Sequence, residues 1–269
     1  MPNLSEKELR AAAYYAIGVS TEGADQAYRL SFCGYQRANN QLEPIGNSGY
    51  TIGEMQTDMG ARPEVAKELV DSYQKWARAE HPDQVLSATD LAQFSRDLGR
   101  DGRHIRDANY EADRLEYRRT HHGHDMPSSA LPSRTGDDID ATFKARLNVY
   151  LGTDHGKSFV HKHDISQVDQ LISHVGEPLA DSALYKKASP EDQARMFVTV
   201  AKVYNQNELW GKNLLADIKS GQLGSQNDIN ARIGGLVKRD SQHPDKLTYM
   251  ESGRDDALKG AELFNTLRN

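Results

Sequence analysis

Apolar positions set a helical rhythm from the start of the chain. Leu9, Ala12, Ala13, Ala16 and Ile17 recur at three- and four-residue steps, which predicts a helix from about residue 6 to 19 with one core-facing stripe. Ser5 and Glu8 have the spacing at which a hydroxyl and a carboxylate satisfy each other's backbone N–H groups at a helix start. Gly23 is placed to end the helix just after Glu22. From Tyr28 to Asp58 the rhythm changes to short extended pieces, YRLSF and GYTIGEMQ, divided by the turn-rich NNQLEPIGNSG, and this predicts a small antiparallel sheet. After Arg62-Pro63 the helical period returns over 63–79, then over 87–99 with Ser87 as cap and Gly99 as stop, then through DANYEADRLEYRRTHH. Residues 121–138, rich in Pro, Gly and Ser, read as a loop or lobe junction. Further helical stretches follow, from DIDATFKARLNVYLG to the closing GRDDALKGAELFNTLRN. The pattern predicts a mainly α (α+β) chain forming one lobed domain over 1–269. Residues 1–62 supply the N-terminal helix and small sheet, and residues 63–269 a larger helical lobe.

Composition narrows the function classes. A net charge of -6 argues against a nucleic-acid partner, because phosphate neutralisation draws on an excess of clustered Lys and Arg. No apolar run approaches the roughly 20 residues of a membrane helix, so no membrane span is expected. Cys33 is the only cysteine, which excludes an intramolecular disulfide. The first twenty residues carry acids where a signal peptide has a basic region, so synthesis in the cytoplasm without a signal peptide is expected.

Candidate chemistry starts at Glu22. A carboxylate at the end of an apolar helix, facing a small sheet, is poorly solvated, and desolvation favours its protonated form. A protonated Glu at neutral pH is what glycosidic cleavage asks of its acid. The stretch SGYTIGEMQTDMG is too polar and too glycine-rich for an ordinary core strand, and its glycines permit close approach of backbone to backbone or to a ligand. If it is one unbroken strand, Thr51 and Met55 point one way while Ile52, Glu54, Gln56 and Asp58 point the other. Either the strand bends near Gly53, or Thr51 and Asp58 do not share a cleft; Glu54 stays open as a rival second acid.

Helix, Glu22-Gly23 and a sheet carrying GYTIG together resemble the phage-type lysozymes and pesticin-like muramidases of the lysozyme-like superfamily. The motifs cover the first 60 residues, and FVTVAKVYNQNELWG is similar to the core helix and Asn-containing turn of such enzymes. The resemblance implies a lysozyme-like fold and cleavage of β-1,4 links between N-acetylmuramic acid and N-acetylglucosamine. It implies Glu22 as general acid, Thr51 as the strand residue holding water or sugar, and Asp58 as second carboxylate. GEMQ is also similar to the Gly-Leu-Met-Gln element of lytic transglycosylases and goose-type lysozymes, which would put Gln56 in the glycan cleft. Tyr28, Tyr35 and Tyr50 offer flat amphipathic surfaces to pyranose rings, and Asn205 and Gln206 offer hydrogen bonds to N-acetyl groups.

The expected partner is therefore peptidoglycan, together with a delivery apparatus and an immunity or inhibitor protein if the chain is an antibacterial effector acting in the wall. The alternatives are a lytic transglycosylase on the same substrate and a non-enzymatic helical module that binds wall or partner. No cofactor and no metal are expected. The histidine patches HHGHD and HKHD bring His122, His124, Asp125, His161, His163 and Asp164 into view as metal ligands, but spacing in a loop constrains little. The acids of RTGDDID, which suggest calcium, are explained more simply as helix N-caps through Asp137 or Asp138.

Overall fold

The computed structural model describes residues 4–19, 24–106, 110–123, 135–241 and 245–268. The chain is mainly helical, with short antiparallel strands near the N-terminus. It divides into two compact units, Met1–Ala24 with Asp164–Asn269, and Asp25–His163. This partition differs from a division at residue 62: the first helix groups with the C-terminal helices, and the strands group with residues 63–163.

In the first unit, helix Glu6–Ala13 starts at the capping box expected of it. The Ser5 hydroxyl accepts from the Glu8 N–H at 3.3 Å, and the Glu8 carboxylate accepts from the Ser5 N–H at 2.8 Å. The helix continues as π-helix over Tyr14–Val19. Its apolar stripe, with Leu9, Ala12 and Ala13 buried, packs on helices Pro190–Gln206 and Tyr249–Arg268. Pro190–Gln206 is the centre of this unit. Every residue from Met196 to Val203 is buried, as befits a helix surrounded by Glu208–Lys219, Gln226–Gly234 and Tyr249–Arg268.

In the second unit the strands are β1 (Ser31–Phe32), β2 (Gly34–Arg37), β3 (Gln41–Pro44), β4 (Tyr50–Ile52), β5 (Thr57–Asp58) and β6 (Gly136–Asp137). They form two three-stranded sheets, ordered β1-β4-β5 and β2-β3-β6, with every pair antiparallel. Helix Pro63–Glu80 buries Val65, Ala66, Leu69, Val70, Tyr73, Trp76 and Ala77, a continuous stripe at helical spacing. Aromatic rings pack within the same core: Phe94 stacks on Phe143 at 3.8 Å, and Tyr73 meets Tyr150 edge-on at 5.9 Å.

Three local expectations change. The segment NNQLEPIGNSG is more than a turn, because Gln41–Pro44 is a strand paired with both β2 and β6. HKHD lies inside helix Asp154–Leu171 rather than in a loop, since its residues continue a helix begun at Asp154. The cap at the RTGDDID segment is Asp140, which accepts from the Phe143 N–H at 2.8 Å. Asp137 sits in β6, and Asp138 accepts from the Tyr50 hydroxyl and from Lys144 Nζ. Among the described residues no helix is long and apolar enough to cross a membrane.

Candidate functional site

GYTIGEMQTD folds as a hairpin, not as one strand. β4 and β5 pair with Thr51 opposite Asp58 and Ile52 opposite Thr57. Gly53 has φ +82° and Gln56 φ +53°, and the Gln56 N–H closes the turn on the Gly53 carbonyl at 3.2 Å. The first of these positions needs a residue without a Cβ. The bend near Gly53 thus replaces the period-two separation: directly opposed residues in an antiparallel pair share a face, so Thr51 and Asp58 do so too. The Gly53 N–H donates to the Ala27 carbonyl at 3.1 Å, which ties the turn to the segment before β1.

The two candidate second acids have different surroundings. Asp58 is half-buried, and its Oδ1 accepts from the backbone N–H groups of Gly60 at 2.8 Å, Gly49 at 3.2 Å and Ala61 at 3.4 Å. One carboxylate oxygen therefore serves as the anchor of the turn after β5. Glu54 is only 4% exposed, in the turn itself, beside fully buried Met55. A carboxylate so enclosed is costly to bury, which makes Glu54 an unusual component for a hairpin tip. The glycine expectation resolves as backbone against backbone at Gly49, where a Cβ would collide with the Arg100 carbonyl oxygen.

Thr51 is buried at 4% exposure in the central strand of its sheet. Gln56 is half-buried at the end of the turn. Glu22 lies outside the described residues. Tyr50 requires a correction: it is fully buried, its hydroxyl donates to Asp138 and accepts from the Ile139 N–H at 3.3 Å, and it offers no surface to a sugar. Burial first, then the bond to Asp138, pushes its phenol far above the ordinary value.

Tyr28 is half-buried, with its hydroxyl 2.7 Å from His161 Nε2 and Lys157 Nζ 5.6 Å from its ring centre. Tyr35 is 55% exposed. In the helical unit, Asn205 Oδ1 accepts from Gln167 Nε2 at 2.5 Å. The cap at that helix junction is the next residue but one, Asn207, which accepts from the Trp210 N–H at 3.1 Å.

The histidines of HKHD have separate environments. His161 is exposed beside Tyr28, whereas His163 is 8% exposed, against Phe159 and 3.5 Å from the Glu68 carboxylate. Burial holds the His163 imidazole below its ordinary pKa. Of HHGHD, His124 and Asp125 lie outside the described residues. Among the described residues no group of three His, Cys, Asp or Glu side chains is arranged to hold a metal ion.

The residue that sequence reasoning passed over is Asp138, read as a helix cap. Nothing local marks it as the partner of Tyr50, which lies 88 positions earlier in the chain. Comparison of the chain with protein families, curated proteins and solved structures found no match.

Proposed function

We propose that the chain is a lysozyme-like glycan-strand hydrolase, a muramidase that cuts β-1,4 links between N-acetylmuramic acid and N-acetylglucosamine. The observation that carries this reading is the hairpin that pairs Thr51 with Asp58 and encloses Glu54 in its turn. In the proposed reaction Glu22 protonates the bridging oxygen, and the leaving sugar departs as an alcohol. Asp58 or Glu54 then activates water or steadies the oxocarbenium-like centre. Thr51 and Gln56 complete the hairpin's contribution as positioning groups.

One observation favours a second reading on the same substrate. Asp58 Oδ1 is engaged by three backbone N–H groups, a structural task; if neither Asp58 nor Glu54 serves as second acid, Glu22 works alone. A one-carboxylate enzyme would close the substrate's own 6-hydroxyl onto the anomeric carbon, as a lytic transglycosylase does.

Zymography on purified peptidoglycan tests the reading. Wild type clears the gel, and Glu22→Gln, which keeps the shape and removes the proton donor, does not. Equal clearing by the two proteins overturns the assignment of Glu22. Mass spectrometry of the products separates the two readings: reducing ends mark a hydrolase and 1,6-anhydro ends a transglycosylase. Cut peptides on intact glycan would sink both. The acidic net charge is ill suited to unaided approach to an anionic wall, so the proposal includes delivery by a phage lysis or secretion apparatus. Lysis on forced export to the periplasm, with none on cytoplasmic expression, is the expected outcome.

A further inference from the structure

The β2-β3-β6 sheet has a core side and an outer side, and its register assigns residues to each. Tyr35 lies opposite Glu43, Arg37 opposite Gln41, and Gln41 opposite Asp137. Opposed residues share a face, and alternate residues along a strand return to it. Leu42, one step out of phase, is fully buried. The outer face is therefore Tyr35, Arg37, Gln41, Glu43 and Asp137.

These side chains are tied to one another. The Arg37 guanidinium lies 5.0 Å from the Tyr35 ring centre and donates through Nε and Nη2 to Glu43 Oε2, at 2.8 and 2.5 Å. Gln41 Nε2 donates to Asp137 Oδ1 at 2.5 Å. Groups already held in one geometry lose less conformational freedom when a ligand arrives. Arg37 is the only cation of the five and Glu43 answers its charge, so the face has no excess positive charge to attract a polyanion. An aromatic ring 55% exposed, with a guanidinium over one face and carboxylate and amide groups on the same sheet face, complements an uncharged chain with apolar C–H faces and hydroxyl and amide edges.

We propose that this face is a second glycan-binding surface, separate from the hairpin of β4 and β5, that holds a polysaccharide strand through stacking on Tyr35. The choice of glycan rests on the reading under Proposed function, and the surface deepens that reading. The chain runs directly from one place to the other, with a bend at Cys33 between β1 and β2. β1, whose Ser31 pairs with Thr51, passes through Cys33 into β2, with the Cys33 N–H on the Gly49 carbonyl and the Ile45 N–H on the Cys33 carbonyl, both at 3.0 Å. At about 3.3 Å per residue, Ser31 and Tyr35 are at most roughly 13 Å apart along it.

The test measures binding of the full chain to insoluble peptidoglycan and to chitin, in the Glu22→Gln background so that the polymer stays intact. Tyr35→Ala is expected to weaken binding about tenfold, Tyr35→Trp to retain it, and N-acetylglucosamine oligomers to compete where heparin does not. Unchanged melting of Tyr35→Ala, an exposed site, excludes loss of fold as the cause. Binding of Tyr35→Ala equal to its parent, no binding by the parent, or displacement by heparin alone overturns the proposal. Clearing by wild type without Tyr35-dependent binding overturns this surface and leaves the glycosidase reading standing. Tyr35-dependent binding without clearing does the reverse.

Discussion

The helical unit and the strand-bearing unit bury apolar surface by different means. In the first, one helix is enclosed by others; Ser189, Asn207 and Ser225 cap helix starts by accepting from an N–H of the following turn, and buried Gln193 is a side chain that bridges distant backbone groups, the Leu4 N–H and the Tyr185 carbonyl. In the second, strands of two to four residues leave long connections whose backbone groups find no partner within an element. Side chains take over that task. Gln74 both donates to the Leu86 carbonyl and accepts from the Leu86 N–H, each at 2.9 Å, and Asn148 Oδ1 accepts from the Leu30 N–H at 2.8 Å. Asp58 does the same for the turn after β5. In such a unit a carboxylate inside a motif is often already engaged in structure, so a motif alone does not assign it to chemistry.

The largest expected effect tests whether the first unit depends on its central helix. Phe197→Ala, at a fully buried position, should cost about 3–5 kcal/mol. Each unit holds one of the two tryptophans, Trp210 in the first and Trp76 in the second. Fluorotryptophan labelling therefore gives a separate resonance for each. Denaturant titration should move the Trp210 transition more than the Trp76 transition, and equal movement would break the contrast.

The converse perturbation is Gln74→Leu, which keeps volume but orphans both backbone groups of Leu86. It should cost about 1–3 kcal/mol and move the Trp76 transition first. A smaller effect sharpens the role of Asp58. Asp58→Ala removes the acceptor for three N–H groups and should cost about 1 kcal/mol, while Asp58→Asn retains an oxygen and most of that stability. If Asp58→Asn also keeps full clearing and Glu54→Gln does not, Glu54 is the second carboxylate.

The remaining effects are pH-dependent. In the first unit, hydrogen bonds from Arg239, then from the Thr248 N–H, lower the Glu251 carboxyl from 4.5 to about 2. Its folded value lies below its unfolded value, so its stabilisation is complete above 4.5 and lost as pH falls towards 2. Melting temperature should fall less steeply across that window in Glu251→Gln. In the second unit, burial holds His163 below 6.5, so the unfolded chain takes up the proton first and stability drops as pH falls below 6.5. The charged groups around it are Glu68, Lys162, Arg62 and Glu64. His163→Leu should flatten that drop in the Trp76 signal and leave the Trp210 signal unchanged.

Much of the helical content was legible because its signals are local. Ser5 with Glu8, Ser87 before Ala88–Leu98 with Gly99 closing it, and the apolar stripe of Pro63–Glu80 all lie within a few turns of what they specify. The candidate site was legible only as a set of residue types. Whether GEMQ is strand or turn depends on whether Thr57–Asp58 folds back on Tyr50–Ile52, and nothing within the four residues decides it.

Sequence alone therefore determined where several helices begin and end, the mainly α character, and the presence of a polar, glycine-rich segment between Tyr50 and Asp58. Tertiary structure decided which elements share a core: the first helix with the last, Tyr50 with Asp138, Tyr28 with His161. Capping and periodicity are satisfied by neighbours along the chain. Burial and hydrogen-bond partnership are settled by whichever distant segment arrives, and so the same tyrosine pattern yields a core residue at 50 and an exposed ring at 35.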